Sequence, residues 1–187
     1  MLIKKTNITV DLEQMRKDLE HILTLQEWPH PPYETELPHN QICLNHRVGT
    51  ENKWLEGAGS AKKYGFTEDE FCVFNNELPE YTRSVLENLA EQEDIKFGRI
   101  RYMRLPSKSG LSVHRDEEQR YHLVLHTNRF AMFGHVYQGP DELGKVYHIP
   151  ADGVFYKVDT TLDHFVYNGG WEDRIHLVIC VLANNKS

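Results

Sequence analysis

A mainly β fold with flanking α-helices, its strands laid out as two facing sheets in a jelly roll, is predicted by three features of the sequence. From Phe97 onward the chain runs in short segments rich in Val, Ile, Phe and Tyr, broken by Pro, Gly, Asn and Asp, as strands and their turns do. Eight such segments follow one another, at 97–105, 112–115, 121–127, 131–137, 145–149, 153–158, 164–168 and 174–182, enough to fill two sheets. The residues before them carry helical periodicity instead, which places helices beside the sheets. The 187 residues are therefore expected to form one domain, 1–187, with a helical extension, a first strand and a loop over 1–96 and the β core over 97–187.

Taken in order, residues 11–26 put Leu12, Met15, Leu19, Ile22 and Leu23 at helical intervals, with Asp11, Glu13 and Lys17 off that stripe. This predicts an amphipathic helix, stopped by the proline-rich stretch 28–33. Residues 41–48 alternate enough for a first strand. The segment 49–65, with Trp54, Gly57, Gly59 and the pair Lys62 and Lys63, reads as a loop, either a substrate lid or a surface connection. Thr67 followed by Glu70 makes a capping box for a second helical region. Phe71, Phe74 and Leu78 would be the buried face of its first part, before Pro79, and Tyr81, Val85, Leu86 and Leu89 that of its second.

Composition narrows the function classes. A formal net charge of −7 and a pI near 5.9 give no polyanion-binding signature, so no nucleic-acid partner is expected. Cys43, Cys72 and Cys180 are odd in number and lack metal-type spacing, which fits reduced thiols and a cytoplasmic location. Residues 1–12 contain no signal-like apolar core, and the longest apolar run, 177–183, is too short to span a bilayer, so an unsecreted protein without a membrane partner is expected.

The chemistry concentrates in four residues. His114 and Asp116 stand two apart, so on a strand both project to one side while Arg115 points away. His164, fifty residues later, can return on another antiparallel strand to face them. Two imidazoles and a carboxylate are the set that suits Fe(II) with positions left open for a co-substrate and dioxygen. Arg174 offers a planar fork matched to a carboxylate, at the start of the apolar run 175–179. A hairpin around Asn168, Gly169 and Gly170 would pair the strand of His164 with that of Arg174. Any one of the eleven histidines could be structural. His126, His135, His148 and His176 are read that way; for His122 a pocket role stands beside the structural one. Alternation leaves open which way Arg101 and Arg104 point. Tyr102, Trp54, Asn168 and Trp171 are candidate substrate neighbours, with packing or turn roles as their alternatives.

The segments 112–116, 120–125, 150–155, 159–164 and 173–177 together resemble the double-stranded β-helix, the cupin-like jelly roll, of 2-oxoglutarate- and Fe(II)-dependent oxygenases. Within that superfamily the chain is most similar to the aspartyl/asparaginyl β-hydroxylase and proline hydroxylase group. The resemblance implies that His114, Asp116 and His164 bind Fe(II), and that Arg174 pairs with the far carboxylate of 2-oxoglutarate. Arg120 and His122 would lie near its metal-side carboxylate. It further implies that O2 is consumed, that succinate and CO2 are released, and that a C–H bond of a free amino acid or of a residue in a peptide or protein is hydroxylated. One departure matters: Asp116 keeps the full triad, whereas the peptidyl aspartate enzyme of that group uses two histidines alone. The chain is in this respect closer to amino-acid hydroxylases, and a halogenase, which gives up the carboxylate ligand, is disfavoured. The residues alone leave two other readings: a cupin-like metal or small-molecule binding protein without catalysis, which would need neither Asp116 nor Arg174, and a zinc hydrolase, which would leave Arg174 without a role. Nothing in the sequence fixes the oligomeric state.

Overall fold

The computed structural model describes residues 3–29, 40–136 and 144–182. Strand β1 (Ile3–Thr9) leads into helix α1 (Leu12–Leu25), whose Asp11 side chain accepts the Gln14 N–H as an N-cap. Met15, Leu19 and Ile22 form its buried stripe. The expected strand at 41–48 divides into β2 (Gln41–Cys43) and β3 (Asn45–His46). The Thr67–Glu70 capping box is present, but it caps a single 3-10 turn, and β4 (Val73–Phe74) follows where a helix was expected. One turn is all the chain allows there, because β4 is drawn out to pair with β3. Pro79, its backbone still extended at ψ 140°, is the N-cap of α2 (Glu80–Glu93).

The remaining strands are β5 (Phe97–Leu105), β6 (Ser109–His114), β7 (Arg120–His126), β8 (Ala131–His135), β9 (Lys145–Tyr147), β10 (Val154–Val158), β11 (His164–Asn168) and β12 (Arg174–Val181). They form a six-stranded sheet ordered β1-β10-β7-β12-β5-β2 and a four-stranded sheet ordered β6-β11-β8-β9. All pairs are antiparallel, and the two sheets make a jelly roll. The β11–β8 pairing leaves no room for a side chain at Gly134, where a Cβ would meet the Phe165 ring at 2.1 Å.

Two buried layers follow. Between α1, α2 and the six-stranded sheet lie Met15, Leu19, Ile22, Leu86 and Leu89, packed with Ile42, Ile100, Tyr102, Leu123, Leu177 and Ile179. Each fully buried aliphatic side chain there contributes on the order of 1.5–3 kcal/mol. Asp18 of α1 accepts hydrogen bonds from the Thr82 N–H (3.0 Å) and Oγ1 (2.7 Å), which fixes one helix on the other. The second layer, with Val124, Phe133, Val154, Val158 and Val166, closes one end of the space between the sheets. The proline-rich stretch of the sequence falls mostly outside the described residues, as do Tyr137 and the last positions of the chain. No helix among the described residues is long and apolar enough to cross a membrane.

Candidate active site

β6 and β11 are neighbours in the four-stranded sheet, and their register sets His114, the last residue of β6, opposite His164, the first of β11. Their rings lie 4.2 Å apart between centroids. Two residues beyond β6 the chain is held by an Asp116 N–H donation to the Thr160 carbonyl (2.9 Å), which turns the carboxylate toward the histidines. One ligand atom from each of His114, Asp116 and His164 then falls within 4.8 Å of the others. Arg115 points away and pairs with Asp163 at the surface.

The donor chemistry fits a divalent metal. His114 Nδ1 lies 2.7 Å from the Ser112 carbonyl and His164 Nδ1 lies 2.8 Å from that of Leu162. A carbonyl only accepts, so both Nδ1 atoms carry the proton and both Nε2 atoms present a lone pair. Burial holds His164 below its ordinary pKa, against the opposing pull of the Leu162 carbonyl, which keeps that lone pair free near neutrality. Asp116 Oδ1 accepts from Arg120 Nη2 at 2.6 Å, while Oδ2, 3.6 Å from His164 Nε2, is buried without a hydrogen-bond partner among the described residues. An orphaned carboxylate oxygen between two imidazole lone pairs is a metal site's donor set.

Arg174 is not on a strand paired with that of His164. β11 lies between β6 and β8, and β12 lies between β7 and β5 in the other sheet. What reads as a hairpin turn is a crossing between sheets, pinned by Asn168. Its buried Nδ2 donates to the carbonyls of Leu105, Pro106 and Glu172, and its Oδ1 accepts from the Gly170 N–H. Asn168 is thus a structural clamp rather than a substrate neighbour. Arg174 nonetheless faces the space between the sheets, 7% exposed.

A continuous row of side chains links the two. Phe133 stacks on His164 (5.0 Å, 7°), His122 meets Phe133 edge-on (6.2 Å), His122 Nδ1 lies 3.2 Å from His176 Nδ1, and Arg174 Nη2 donates to His176 Nδ1 (3.0 Å). A guanidinium cannot accept, so His176 Nδ1 does and its proton resides on Nε2. That Nε2–H and the Nε2 of His122 are both buried without hydrogen-bond partners among the described residues. Burial first, and then the Arg174 charge, hold both imidazoles well below their ordinary pKa, so they are neutral. Burial alone pushes Arg174 down to about 9, and no carboxylate among the described residues offsets its charge. The interior therefore holds an unneutralised guanidinium beside an N–H donor, a seat for an acid.

On the other side of the triad a cavity of about 830 Å³ is bordered by His114, Asp116, Arg120, Arg99, Arg101 and Gln41. Residues 59–62 of the 49–65 segment also border it, and Lys62 pairs with Glu117. Two expected substrate neighbours lie elsewhere. Tyr102 is fully buried on the helix-facing side of β5, and Trp54 packs against the same helix-side core. Trp171 is 84% exposed, with Lys108 over its ring. Arg104 also points outward, to Asn40. The direction of Arg101 is left open by the sequence reading, and Arg99, which also faces inward, is not singled out there; their shared parity with Met103, opposite to Ile100 and Tyr102, is the available signal.

A family model for aspartyl/asparaginyl beta-hydroxylase matches residues 10–183, nearly the whole chain. The chain belongs to the aspartyl/asparaginyl β-hydroxylase family. Its members' name makes this protein an oxygenase-type hydroxylase. The hydroxylase is similar in fold to AviO1 from Streptomyces viridochromogenes Tue57 (TM-score 0.56, 12% identity, 98% of this chain and 90% of that one). It is similar also to an oxidoreductase of the 2OG-Fe(II) oxygenase family from Burkholderia pseudomallei (TM-score 0.51, 17% identity, 89% and 78%). A third likeness is to IDO from Bacillus thuringiensis (TM-score 0.51, 9% identity, 98% and 91%). At such identities these likenesses speak to the jelly roll alone. No curated protein matches the chain.

Proposed function

We propose that this hydroxylase is an Fe(II)- and 2-oxoglutarate-dependent dioxygenase that hydroxylates a C–H bond of an amino acid, free or within a peptide, with release of succinate and CO2. The observation that carries the reading is the gathering of His114, Asp116 and His164 within 4.8 Å, lone pairs inward, together with a buried, unneutralised Arg174 behind them. Bound Fe(II) would supply the O2-dependent oxidation of 2-oxoglutarate and of the substrate. The protein's part is positioning. Backbone carbonyls of Ser112 and Leu162 orient the two imidazoles, and Arg120 orients Asp116 by holding its other oxygen. Arg174 would take the far carboxylate of 2-oxoglutarate, with the Nε2–H of His176 as a second donor, inside a space dry enough to strengthen both bonds. His122 stands between that seat and the triad, in reach of the same ligand.

The test is anaerobic reconstitution with Fe(II), followed by oxygen-started measurement of succinate from 2-oxoglutarate, and separately of 2-oxoglutarate binding. Fe(II)-dependent succinate, lost in His114→Ala, is the expected result. Turnover supported by zinc in place of iron, or full activity in His114→Ala, overturns the reading.

A further inference from the structure

Besides Arg174, the inner face of the six-stranded sheet carries another buried guanidinium with which no carboxylate among the described residues makes a hydrogen bond or ion pair. Arg101 lies mid-strand in β5, opposite Cys43 of β2 and Val178 of β12, and is 1% exposed. Its Nη1 donates to Gln41 Oε1 (3.1 Å) and to the Gly59 carbonyl (3.2 Å), its Nη2 lies 3.4 Å from Cys180 Sγ, and its Nε is buried with no hydrogen-bond partner among the described residues. None of those acceptors is a carboxylate. The neighbouring arginines are already matched: Arg99 pairs with Glu68 at 2.6 Å and Arg120 with Asp116 at 2.6 Å. Burial first, and then the like charge of Arg99 and Arg120, disfavours the Arg101 cation as the protein stands, against a smaller opposing pull from Glu68.

Position separates Arg101 from the acid seat at Arg174. The register sets Arg174 opposite Leu105 and Arg101 opposite Val178, four residues along the same face, so roughly 13 Å apart along the strands. Arg120, opposite Cys180, ion-pairs with the triad's Asp116, so Arg101 is at the triad's end of the sheet and Arg174 is at the other. Arg101 also lines the 830 Å³ cavity that His114 and Asp116 border, a volume suited to a small molecule or one protruding side chain. The exposed residues around that cavity, Asp69, Glu117, Lys62 and Arg115, are of mixed sign; deeper in, Glu68 and Asp116 are taken up by Arg99 and Arg120, and the half-buried Glu118 feels the charges of those same two arginines, so among the described residues no carboxylate sits on the Arg101 fork itself.

We propose that Arg101 anchors a carboxylate of the molecule that is hydroxylated, so that two guanidinia at opposite ends of one sheet face hold two different acids, substrate and co-substrate. This rests on the dioxygenase reading above. The carboxylate is either the α-carboxylate of a free amino acid or the side-chain carboxylate of an aspartyl residue, and both present the same planar pair of oxygens to the fork.

The experiment measures binding without turnover, by anaerobic calorimetry on the full chain loaded with Fe(II) and 2-oxoglutarate. The probes are the free L-amino acids, their α-carboxamides, and end-capped peptides that differ only in Asp or Asn. At least one acid binds on the order of 100-fold more tightly than its amide, as a lost charge-assisted pair requires. A free amino acid or an Asp peptide in that role identifies the source of the carboxylate. Arg101→Gln erases the preference while leaving 2-oxoglutarate affinity unchanged, and Arg101→Lys, which keeps charge but not the fork, restores part of it. A panel in which no acid is preferred over its amide overturns the proposal, as does a preference that survives Arg101→Gln. Should Arg101→Gln not fold, full wild-type preference in Arg101→Lys overturns the fork's role. Failure of the wild-type chain to bind 2-oxoglutarate at all overturns the dioxygenase reading instead, so the two failures are distinct.

Discussion

The two faces of the six-stranded sheet are about equally buried and chemically opposite. Toward the helices, β5, β7 and β12 present Ile100, Tyr102, Tyr121, Leu123, Leu177 and Ile179, all without measurable exposure. Toward the other sheet the same strands present Arg99, Arg101, Arg120, His122, Arg174 and His176. One face gains free energy from leaving water; the other is costly to keep dry and is maintained only because the first face anchors it. Stability and function are thereby separated by one residue step along a strand, and substitutions on the two faces should fail in different ways.

The largest contrast comes from the triad against the helix-side core. His164→Ala should abolish hydroxylation, by at least about 10³-fold in kcat, while the protein stays folded, since it loses one strand-end side chain and retains the sheet's apolar packing. Leu177→Ala, on the other face of β12, should cost about 2–5 kcal/mol in denaturant unfolding through the cavity it leaves. The turnover of its folded fraction should stay within a few-fold of wild type. If Leu177→Ala silenced the folded enzyme, the two faces would not be separable. Glu68→Ala sharpens the point within the polar layer. It strands the buried Arg99 cation, which Glu68 now holds at 2.6 Å, and should cost about 3–5 kcal/mol. Arg174→Gln removes a buried charge that has no counter-ion, and should leave the melting temperature within a few degrees of wild type while weakening 2-oxoglutarate use by about 10–100-fold, the worth of a charge-assisted bond. A large drop in stability with unchanged 2-oxoglutarate affinity would make Arg174 a structural strut.

Much of this was legible in the sequence, for identifiable reasons. The eight strands of 97–182 announced themselves because turn residues bracket each apolar run, and the His114–Asp116 spacing put both groups on one side of a strand end whatever the topology. Strand β1 was missed. Its centre is Lys4, Lys5, Thr6 and Asn7, and a register irregularity between Lys5 and Thr9 breaks the period-two pattern that would have linked Ile3 to Ile8. The crossing at Asn168 was misread because Asn-Gly-Gly has the composition of a hairpin turn, and local composition does not say which sheet the next strand joins. Arg101 was left undecided because alternation puts Arg101 and Arg104 on opposite faces of β5 without saying which face looks into the barrel, and both faces of that strand are largely buried. For Tyr102, read as a candidate substrate neighbour or a packing residue, the structure selects packing.

The smallest expected effect tests the cost of the polar face directly. His122 and His176 are kept neutral in the interior, their pKa values held well below the unfolded value of about 6.5 by burial and by the Arg174 charge. An unfolded chain therefore binds protons that the folded chain refuses. Stability is full above about pH 6.5 and falls as the pH drops below it, by about 1.4 kcal/mol per pH unit for each such histidine until the folded pKa is reached. His126 and His164 are shifted in the same direction and steepen the loss. His176→Gln removes one of these imidazoles while retaining a hydrogen-bonding side chain for Arg174. Denaturant midpoints measured between pH 7.5 and pH 5.5 should therefore fall less steeply in the variant than in the wild type, by about one histidine's share. Parallel pH profiles would mean that His176 already binds its proton in the folded barrel. The tautomer deduced from the Arg174 contact, and with it the free Nε2–H donor, would then have to be abandoned.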